Sequence, residues 1–443
     1  MAKFLVLLLH NLLFPFALLF MAPAALRKMK ARGGKISGLW QRFGFFNREQ
    51  KAKIAEFQRH GQIIWIHAVS VGEVGIAAKF IHELLKQRPE SRIVLTTTTP
   101  TGLAQAEELA KSTAHHVLPL YSALDGWFIV RRFLRLIRPQ QLIFVESEVW
   151  PNLVFACTRK RIPTALINAR LSPRSERRYH KVLPVARAIF SMLDRAYVQE
   201  KEDVARWAKL GVNPAGIECT GSIKYDTGNH AEPVEQIAQF RELLATLNWQ
   251  SEDPILLVAS THAGEEREMG KVFRELLLKT PNLRLMVAPR HVERSYEVEQ
   301  DLQFNGLNVV RRRALELNKN VAGSCNVLLI DTTGELKNWQ YLATIVIIGK
   351  SFLTVGGQNP AEAVVAGKPV VFGPHMENFE ALLRLLMGKG GAVQVENFEA
   401  LQTSLAHLLE HPEEAQKIAK AGREALAVHE GATVRTVGRI LGK

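Results

Sequence analysis

At 443 residues the chain exceeds what a single hydrophobic core organises, and with 47% hydrophobic and 23% charged residues it leaves no room for extended disorder, so two domains are expected. Lys and Arg outnumber Asp and Glu by 57 to 43, a net +14 that favours anionic partners without choosing among nucleic acid, acidic lipid and phosphorylated substrates. Three scattered cysteines, Cys157, Cys219 and Cys325, have no C-x-x-C spacing, which argues against a disulfide framework or a zinc site and fits a reducing compartment.

The first element is an apolar stretch from Phe4 to Leu26, weakly interrupted by His10, Asn11, Pro15 and Pro23 and followed by Arg27, Lys28, Lys30, Arg32 and Lys35. A cleaved signal would carry its charge ahead of the apolar region, where Lys3 stands alone. The positive-inside rule keeps the downstream side in the cytoplasm. The stretch therefore reads as a membrane anchor, a single span or an in-plane helix, with the catalytic body on the cytoplasmic face. A removed signal sequence, suggested by Ala24 and Ala25, is the competing reading.

After a basic connector with Gly33, Gly34 and Gly38, strand-like runs are predicted at Ile63–His67, Ile93–Thr97, Val117–Leu120, Leu142–Glu146, Thr164–Asn168 and Ala196–Gln199. Crossover helices are predicted at Gly75–Gln87, Gly102–Lys111 and Leu124–Ile137. From Thr227 to Asn248 the pattern turns polar and helical, with Pro233 and no strand, and reads as a linker. A second series follows at Ile255–Ser260, Leu283–Ala288, Val327–Ile330, Ile345–Ile348 and Pro369–Phe372. This alternation indicates βαβ units and parallel sheets, hence an α/β protein of two doubly wound domains facing a central cleft. The expected bounds are an anchor and basic flank over 1–35, a first domain over 36–226, a linker over 227–250 and a second domain over 251–443. Neither G-x-G-x-x-G nor G-x-x-x-x-G-K-[ST] occurs, which disfavours a dinucleotide oxidoreductase and a P-loop ATPase.

Reactive groups of such sheets collect at the carboxyl ends of strands. Glu73, in the glycine turn after Ile63–His67, stands where a general base is wanted, although a first-turn Glu also complements a helix dipole. Glu146 and Glu148, two apart along an extended chain, are expected on one face, raising each other's pKa unless a cation lies between them; the alternative is a Glu146 satisfied by backbone amides. Arg170 follows the next strand and can reach a phosphate or carboxylate. The run Thr96 to Gly102 offers hydroxyls suited to an anion or sugar. Lys224 in G-S-I-K-Y-D can neutralise charge on a leaving group or form an ordinary salt bridge. In the second half Arg290 can engage a phosphate, with His262 and His291 nearby in sequence. In Gly349–Ala363, Asn359 reads as an N-cap, Pro360 as the first helical residue and Glu362 as a capping-box partner. Gly356 and Gly357 would equally let backbone amides approach a phosphate while Glu362 holds ribose hydroxyls. Gly373-Pro374-His375 and Glu377-Asn378-Phe379 add another strand end, and a nucleotide bound mainly by the second half accounts for the cluster.

At these residues the chain resembles the family of transferases that move 3-deoxy-D-manno-octulosonic acid (Kdo) from CMP-Kdo to a lipid A precursor. The matching segments, in order, are H-A-V-S-V-G-E (67–73), T-T-T-T-P-T-G (96–102), E-S-E-V-W-P-N (146–152), N-A-R-L-S (168–172), G-S-I-K-Y-D (221–226), S-T-H-A-G-E-E (260–266), P-R-H (289–291), D-T-T-G-E-L (331–336), G-G-Q-N-P-A-E-A (356–363), G-P-H (373–375) and N-F (378–379). The resemblance implies a GT-B fold, with an acceptor domain first and a CMP-Kdo domain second. It also implies inverting transfer without metal or cofactor, in lipopolysaccharide core biosynthesis at the cytoplasmic side of the inner membrane. By resemblance Glu73 is the proton acceptor, Glu146 and Lys224 stabilise the transition state, and Pro289, Arg290, Thr333, Gly334, Glu335, Asn359, Pro360, Ala361 and Glu362 line the CMP site. The chain departs from the family pattern at Lys350, where a second glycine is usual after Gly349, and in Leu118–Asp125, altered around the common L-P-Y-D. Two rivals stand beside this reading: another GT-B enzyme acting on a UDP-sugar, such as a lipid A disaccharide synthase or a sugar epimerase, and a membrane-tethered binder of nucleic acid or acidic lipid. The second is disfavoured because binding needs no carboxylates at strand ends.

Overall fold

A computed structural model describes residues 2–31, 37–171, 173–226, 234–317 and 325–443. The chain divides into two compact units, one of Met1–Gly228 with Gly431–Lys443 and one of Asn229–Glu430.

The first unit is built on a seven-stranded sheet in the order β3-β2-β1-β4-β5-β6-β7. Its strands are β1 (Ile63–His67), β2 (Arg92–Thr97), β3 (Val117–Tyr121), β4 (Gln141–Val145), β5 (Thr164–Ala169), β6 (Arg195–Val198) and β7 (Ile217–Cys219), every pair parallel. Ile63 and Trp65 of β1 join one core with Val94 and Phe144, while Ile64 and Ile66 join another with Ile93, Leu95, Ile143 and Val145. A sheet covered on both faces needs such unbroken apolar strands, because successive side chains point to opposite sides. The strand order reverses between β1 and β4, which pair directly, so the loops leaving these two strands diverge from a common point.

The second unit repeats the plan with β8 (Ile255–Thr261), β9 (Arg284–Pro289), β10 (Val309–Arg311), β11 (Val327–Leu329), β12 (Ile345–Ile348), β13 (Val370–Phe372) and β14 (Val393–Gln394) in the order β10-β11-β9-β8-β12-β13-β14. Here the reversal falls between β8 and β12, again a parallel pair. The eleven predicted strands are all present within a residue or two of their expected ends. The three unpredicted ones, β7, β10 and β14, are edge strands of two or three residues, too short to show any period.

Two stretches differ from the expected domain bounds. Val234–Ala245 is a helix whose Ile237, Phe240 and Leu244 are buried, with Phe240 stacked on Trp339 at 4.2 Å, so this part of the expected linker belongs to the body of the second unit. Thr227 and Pro233 lie outside the described residues. At the other end, the helix Ala432–Ile440 packs in the first unit: Val437 enters its core and the Asp226 carboxylate accepts from the N–H groups of Gly431 at 3.0 Å and Thr433 at 2.6 Å.

The N-terminal helix spans Ala2–Ala31, and its segment Lys3–Phe20 is long and apolar enough to cross a membrane. Arg32, Gly33, Gly34 and Lys35 lie outside the described residues, as do the side chains of Ala24, Ala25, Arg27, Lys28 and Lys30.

Candidate active site

Glu73 sits in the first turn of the helix Val71–Gln87, directly after β1. Ser70 caps that helix, accepting from the Glu73 N–H at 3.3 Å. The Glu73 carboxylate folds back to accept from the Val69 N–H at 2.7 Å and the Ser70 hydroxyl at 2.9 Å. Val69 is itself bolted to the end of β2, its carbonyl accepting from the hydroxyls of Thr97 at 3.3 Å and Thr98 at 2.7 Å. The threonine run thereby acquires a mechanical meaning different from the expected anion contact. Thr96 accepts from the Trp65 indole at 2.9 Å, Thr97 and Thr98 hold the Glu73 loop, and Thr99 caps the helix Pro100–Ser112. Gly102 is required because a Cβ there would lie 2.6 Å from Thr97 Oγ1.

Glu146 directly follows β4 and is not in extended conformation. Its φ of 61° is left-handed, so the expected same-face pairing of Glu146 and Glu148 along a strand does not hold; a turn over 146–148 brings the two together instead. Burial raises the Glu146 carboxyl above the usual range and Glu148 raises it further, while Lys224 and Arg170 pull it down. Burial lowers the Lys224 ammonium, with Glu146 opposing and Arg170 reinforcing that shift. Glu73 is pushed up to about 7, chiefly by burial, with its two hydrogen bonds opposing and the charges of Glu146 and Glu148 adding to it. Three carboxylates and two cations from four strand ends therefore share one electrostatic neighbourhood at the switch point of the sheet.

Each arm of this neighbourhood has a fixed support. Asn168, at the end of β5 with φ 52°, accepts through Oδ1 from the Ile223 N–H at 2.9 Å and so fixes the segment that carries Lys224. Ser172 of the same motif lies outside the described residues. Trp150 packs edge-on against His67 with ring centroids 4.6 Å apart, and its indole N–H lies 3.5 Å from Glu148 Oε2. His67 is completely buried, held neutral by burial at a pKa of about 3, and contacts Thr96 through Nδ1 at 3.1 Å. Glu200, after β6, was not foreseen; burial, helped by Asp203 and Glu202, pushes its carboxyl up to about 6. Its position at a strand's carboxyl end was the available signal.

In the second unit the buried Glu265 occupies the position that corresponds to Glu73, in the first turn after the first strand. Its carboxylate accepts from four backbone N–H groups: His262 at 3.0 Å, Lys350 at 2.7 Å, Ser351 at 3.1 Å and Phe352 at 3.2 Å. It thus ties the loop after β8 to the loop after β12. Beside this tie His262 and His291 approach edge to face at 5.9 Å, and Gln358 lies 3.4 Å from His262 Nε2. Burial lowers the His262 pKa, as do Lys350 and His291. Pro289 ends β9, buried, and Arg290 follows it, exposed, its N–H bonded to the Thr261 carbonyl.

The remaining second-unit residues are placed as follows. Thr333 and Gly334 are exposed, and Gly334 has φ 87°. The Glu335 carboxylate is engaged by Arg312 at 3.2 Å, the Thr332 hydroxyl at 2.7 Å and the Trp339 indole at 3.2 Å. The helix Ala361–Val365 begins one residue later than expected, with Pro360 outside it. The N-cap is therefore Pro360 and not Asn359, whose Oδ1 accepts from the Ala361 N–H at 3.1 Å from one position earlier, and Glu362 is exposed and forms no capping box. Nor do Gly356 and Gly357 leave their amides open to a phosphate as expected. Their N–H groups are held within the protein, by Glu377 Oε2 at 2.6 Å and the Lys350 carbonyl at 3.1 Å. Both have positive φ, and a Cβ would lie 2.7 Å from Asn378 Nδ2 at Gly356 and 2.3 Å from Met376 Sδ at Gly357. The departure at Lys350 also finds its physical sense: φ there is 57°, the region glycine enters without strain.

Comparisons with known proteins give the family and the fold. A family model described as 3-deoxy-D-manno-octulosonic-acid transferase (kdotransferase) matches residues 37–227. A 3-deoxy-D-manno-octulosonic acid transferase of Haemophilus influenzae is 35% identical over 376 residues, covering 84% of this chain and 85% of that one. Its counterpart in Bordetella pertussis is 32% identical over 434 residues, 96% of this chain and 97% of that one. Among solved structures, a UDP-GlcNAc 2-epimerase from Neisseria meningitidis aligns over 86% of this chain and all of its own at a TM-score of 0.56 and 15% identity, a likeness of fold alone.

Proposed function

The chain belongs to the Kdo transferase family and is a glycosyltransferase of GT-B type, and from that premise we propose that it moves Kdo from CMP-Kdo to a lipid A precursor with Glu73 as the catalytic base. The observation that carries the assignment is the Glu73 carboxylate itself. It lies at the switch point of the first sheet, held by one N–H and one hydroxyl, with its pKa pushed up to about 7 beside two further carboxylates. A base poised near the working pH takes a proton most effectively when the base form is populated and the proton is still firmly accepted.

In this reading the acceptor hydroxyl oxygen bonds to the anomeric carbon of Kdo as its proton passes to Glu73. The bond from that carbon to the CMP phosphate oxygen breaks on the opposite side, and its electron pair leaves with CMP, inverting the centre. Glu146 and Lys224 stabilise the charge that develops around the sugar, supported by Arg170. Pro289, Arg290, Thr333, Gly334, Glu335, Asn359, Pro360, Ala361 and Glu362 form the CMP site, with Arg290 and Lys350 supplying positive charge to the departing phosphate in place of a metal. Glu335 takes part through its backbone, because its carboxylate is already engaged. The apolar N-terminal helix holds the enzyme at the cytoplasmic side of the inner membrane, where a lipid acceptor is presented. Incubating the enzyme with CMP-Kdo, lipid A precursor and EDTA, and weighing the product by mass spectrometry, tests the whole reading. Absence of a Kdo adduct on the precursor would refute the acceptor, and abolition of transfer by EDTA would refute metal independence.

A further inference from the structure

The N-terminal helix has two different faces. Leu5, Leu8, Leu9, Leu12, Phe16 and Leu19 are bare, whereas Leu7, His10, Asn11 and Phe14, spaced three and four apart, form a stripe docked on the first unit. At the ends of the stripe the fit is apolar. Leu7 is 5% exposed, and Phe14 lies so close to Gly126 that a Cβ there would be 3.0 Å from its ring.

The middle of the stripe is polar and paired. Asn11 Nδ2 donates to Asn152 Oδ1 at 2.8 Å, Asn152 Nδ2 donates back to Asn11 Oδ1 at 3.1 Å, and the same Asn11 oxygen accepts from the Trp127 N–H at 3.1 Å. His10 Nε2 lies 3.2 Å from the Asp125 carboxylate. Asp125 in turn accepts from the N–H groups of Asn152 at 3.0 Å and Leu153 at 3.1 Å, capping the helix Pro151–Lys160. An asparagine in an otherwise apolar helix destined for lipid is costly unless its amide is paired, and here both ends of the amide are.

Asn152 is fully buried and stands two residues after Trp150, which packs on His67 and reaches Glu148. The start of the helix Pro151–Lys160 is therefore one fixed end of the 146–150 turn, the other being β4. We propose that Asn11, through its paired amide contact with Asn152, is a positioning residue for transfer: the membrane helix sets the turn that carries Glu146 and Glu148 beside Glu73. Anchoring to the membrane and positioning of the acid cluster are then separate duties of opposite faces of one helix.

This inference rests on the transferase reading, and the test keeps the two apart. Full-length enzyme, wild type and Asn11→Leu, is assayed in detergent micelles for kcat and for KM of CMP-Kdo, and for binding to phosphatidylethanolamine–phosphatidylglycerol vesicles. Asn11→Leu is expected to bind vesicles like wild type, to leave the donor KM unchanged and to lower kcat by about ten-fold, because an ångström of misplacement at a reacting group has effects of that size or larger. The acid limb of kcat/KM should also move to lower pH as Glu146 and Glu148 relax away from Glu73, and Asn11→Gln, which keeps an amide, should recover most of the rate. Leu12→Gln, on the bare face, should weaken vesicle binding and leave kcat in micelles unchanged. Should Asn11→Leu fail to fold, Asn11→Ala decides in the same way. A kcat within two-fold of wild type, or a loss of rate that merely tracks loss of vesicle binding, overturns the proposal. Absence of transfer by the wild-type enzyme fails the functional reading instead.

Discussion

The turns that carry Glu73 and Glu265 begin from the same plan and end in opposite conditions. Each follows the first strand of a seven-stranded parallel sheet, passes a glycine and places a buried glutamate in the first helical turn at the point where strand order reverses. The loop that leaves the neighbouring strand makes the difference. Across from Glu265 the chain of 350–352 offers three N–H groups, and together with His262 the carboxylate accepts four. Across from Glu73 the turn of 146–148 offers two more carboxylates, and among the described residues Glu73 is held by a local N–H and a hydroxyl. One carboxylate is a structural tie. The other retains acceptor capacity and a reason to bind a proton.

If this contrast is right, the two residues should fail differently. Glu73→Ala should lower kcat by about 10²–10⁴-fold in a Kdo-transfer assay, the usual worth of a positioned base, while CMP still protects the protein against heating. Turnover near wild type would remove Glu73 from the mechanism. Glu265→Ala should instead destabilise the protein by about 3 kcal/mol in urea unfolding, because it orphans buried N–H groups. A midpoint equal to wild type would show that the tie is dispensable.

The pH dependence sharpens the contrast. With Glu73 at about 7, kcat/KM should fall as pH drops below 7 and the base takes up its proton; a limb near 4.5 would contradict its environment. The stability effect has the same origin. Between the unfolded value of 4.5 and the folded value of about 7, the folded protein holds a proton that the unfolded chain has released, so stability falls as pH rises through that window. Glu73→Gln removes the titration and should be more stable than wild type by about 3 kcal/mol at pH 8, with the gain vanishing toward pH 4.5. An equal gain at both pH values would count against this account. The smallest effect is expected at Lys350→Gly, which relieves a left-handed backbone and should raise stability by about 1 kcal/mol. A loss of stability there would show that the lysine side chain contributes more than its backbone strain costs.

Much of this was legible in the chain itself. The central strands announce themselves as apolar runs because both faces of the sheets are covered, and Glu73 and Arg290 follow from their places after strands, while Lys224 stood out only through the G-S-I-K-Y-D segment. The edge strands β7, β10 and β14 were not legible, being too short for a pattern. Nor was the function of the threonine run: four hydroxyls look like ligands for an anion until the fold directs Thr97 and Thr98 to the Val69 carbonyl. Gly356 and Gly357 misled for the same reason, because the partner of the Gly356 amide is Glu377, distant in sequence.

Sequence alone determined the two α/β units, the apolar leading helix and the family, since these rest on local periodicity and on ordered motifs. Tertiary structure decided which glutamate is a tie and which a candidate base, and it turned His10 and Asn11 from interruptions of an apolar run into one half of a paired polar contact. Hydrogen-bond partners and desolvation depend on groups brought together from far along the chain, and no window of neighbouring residues contains them.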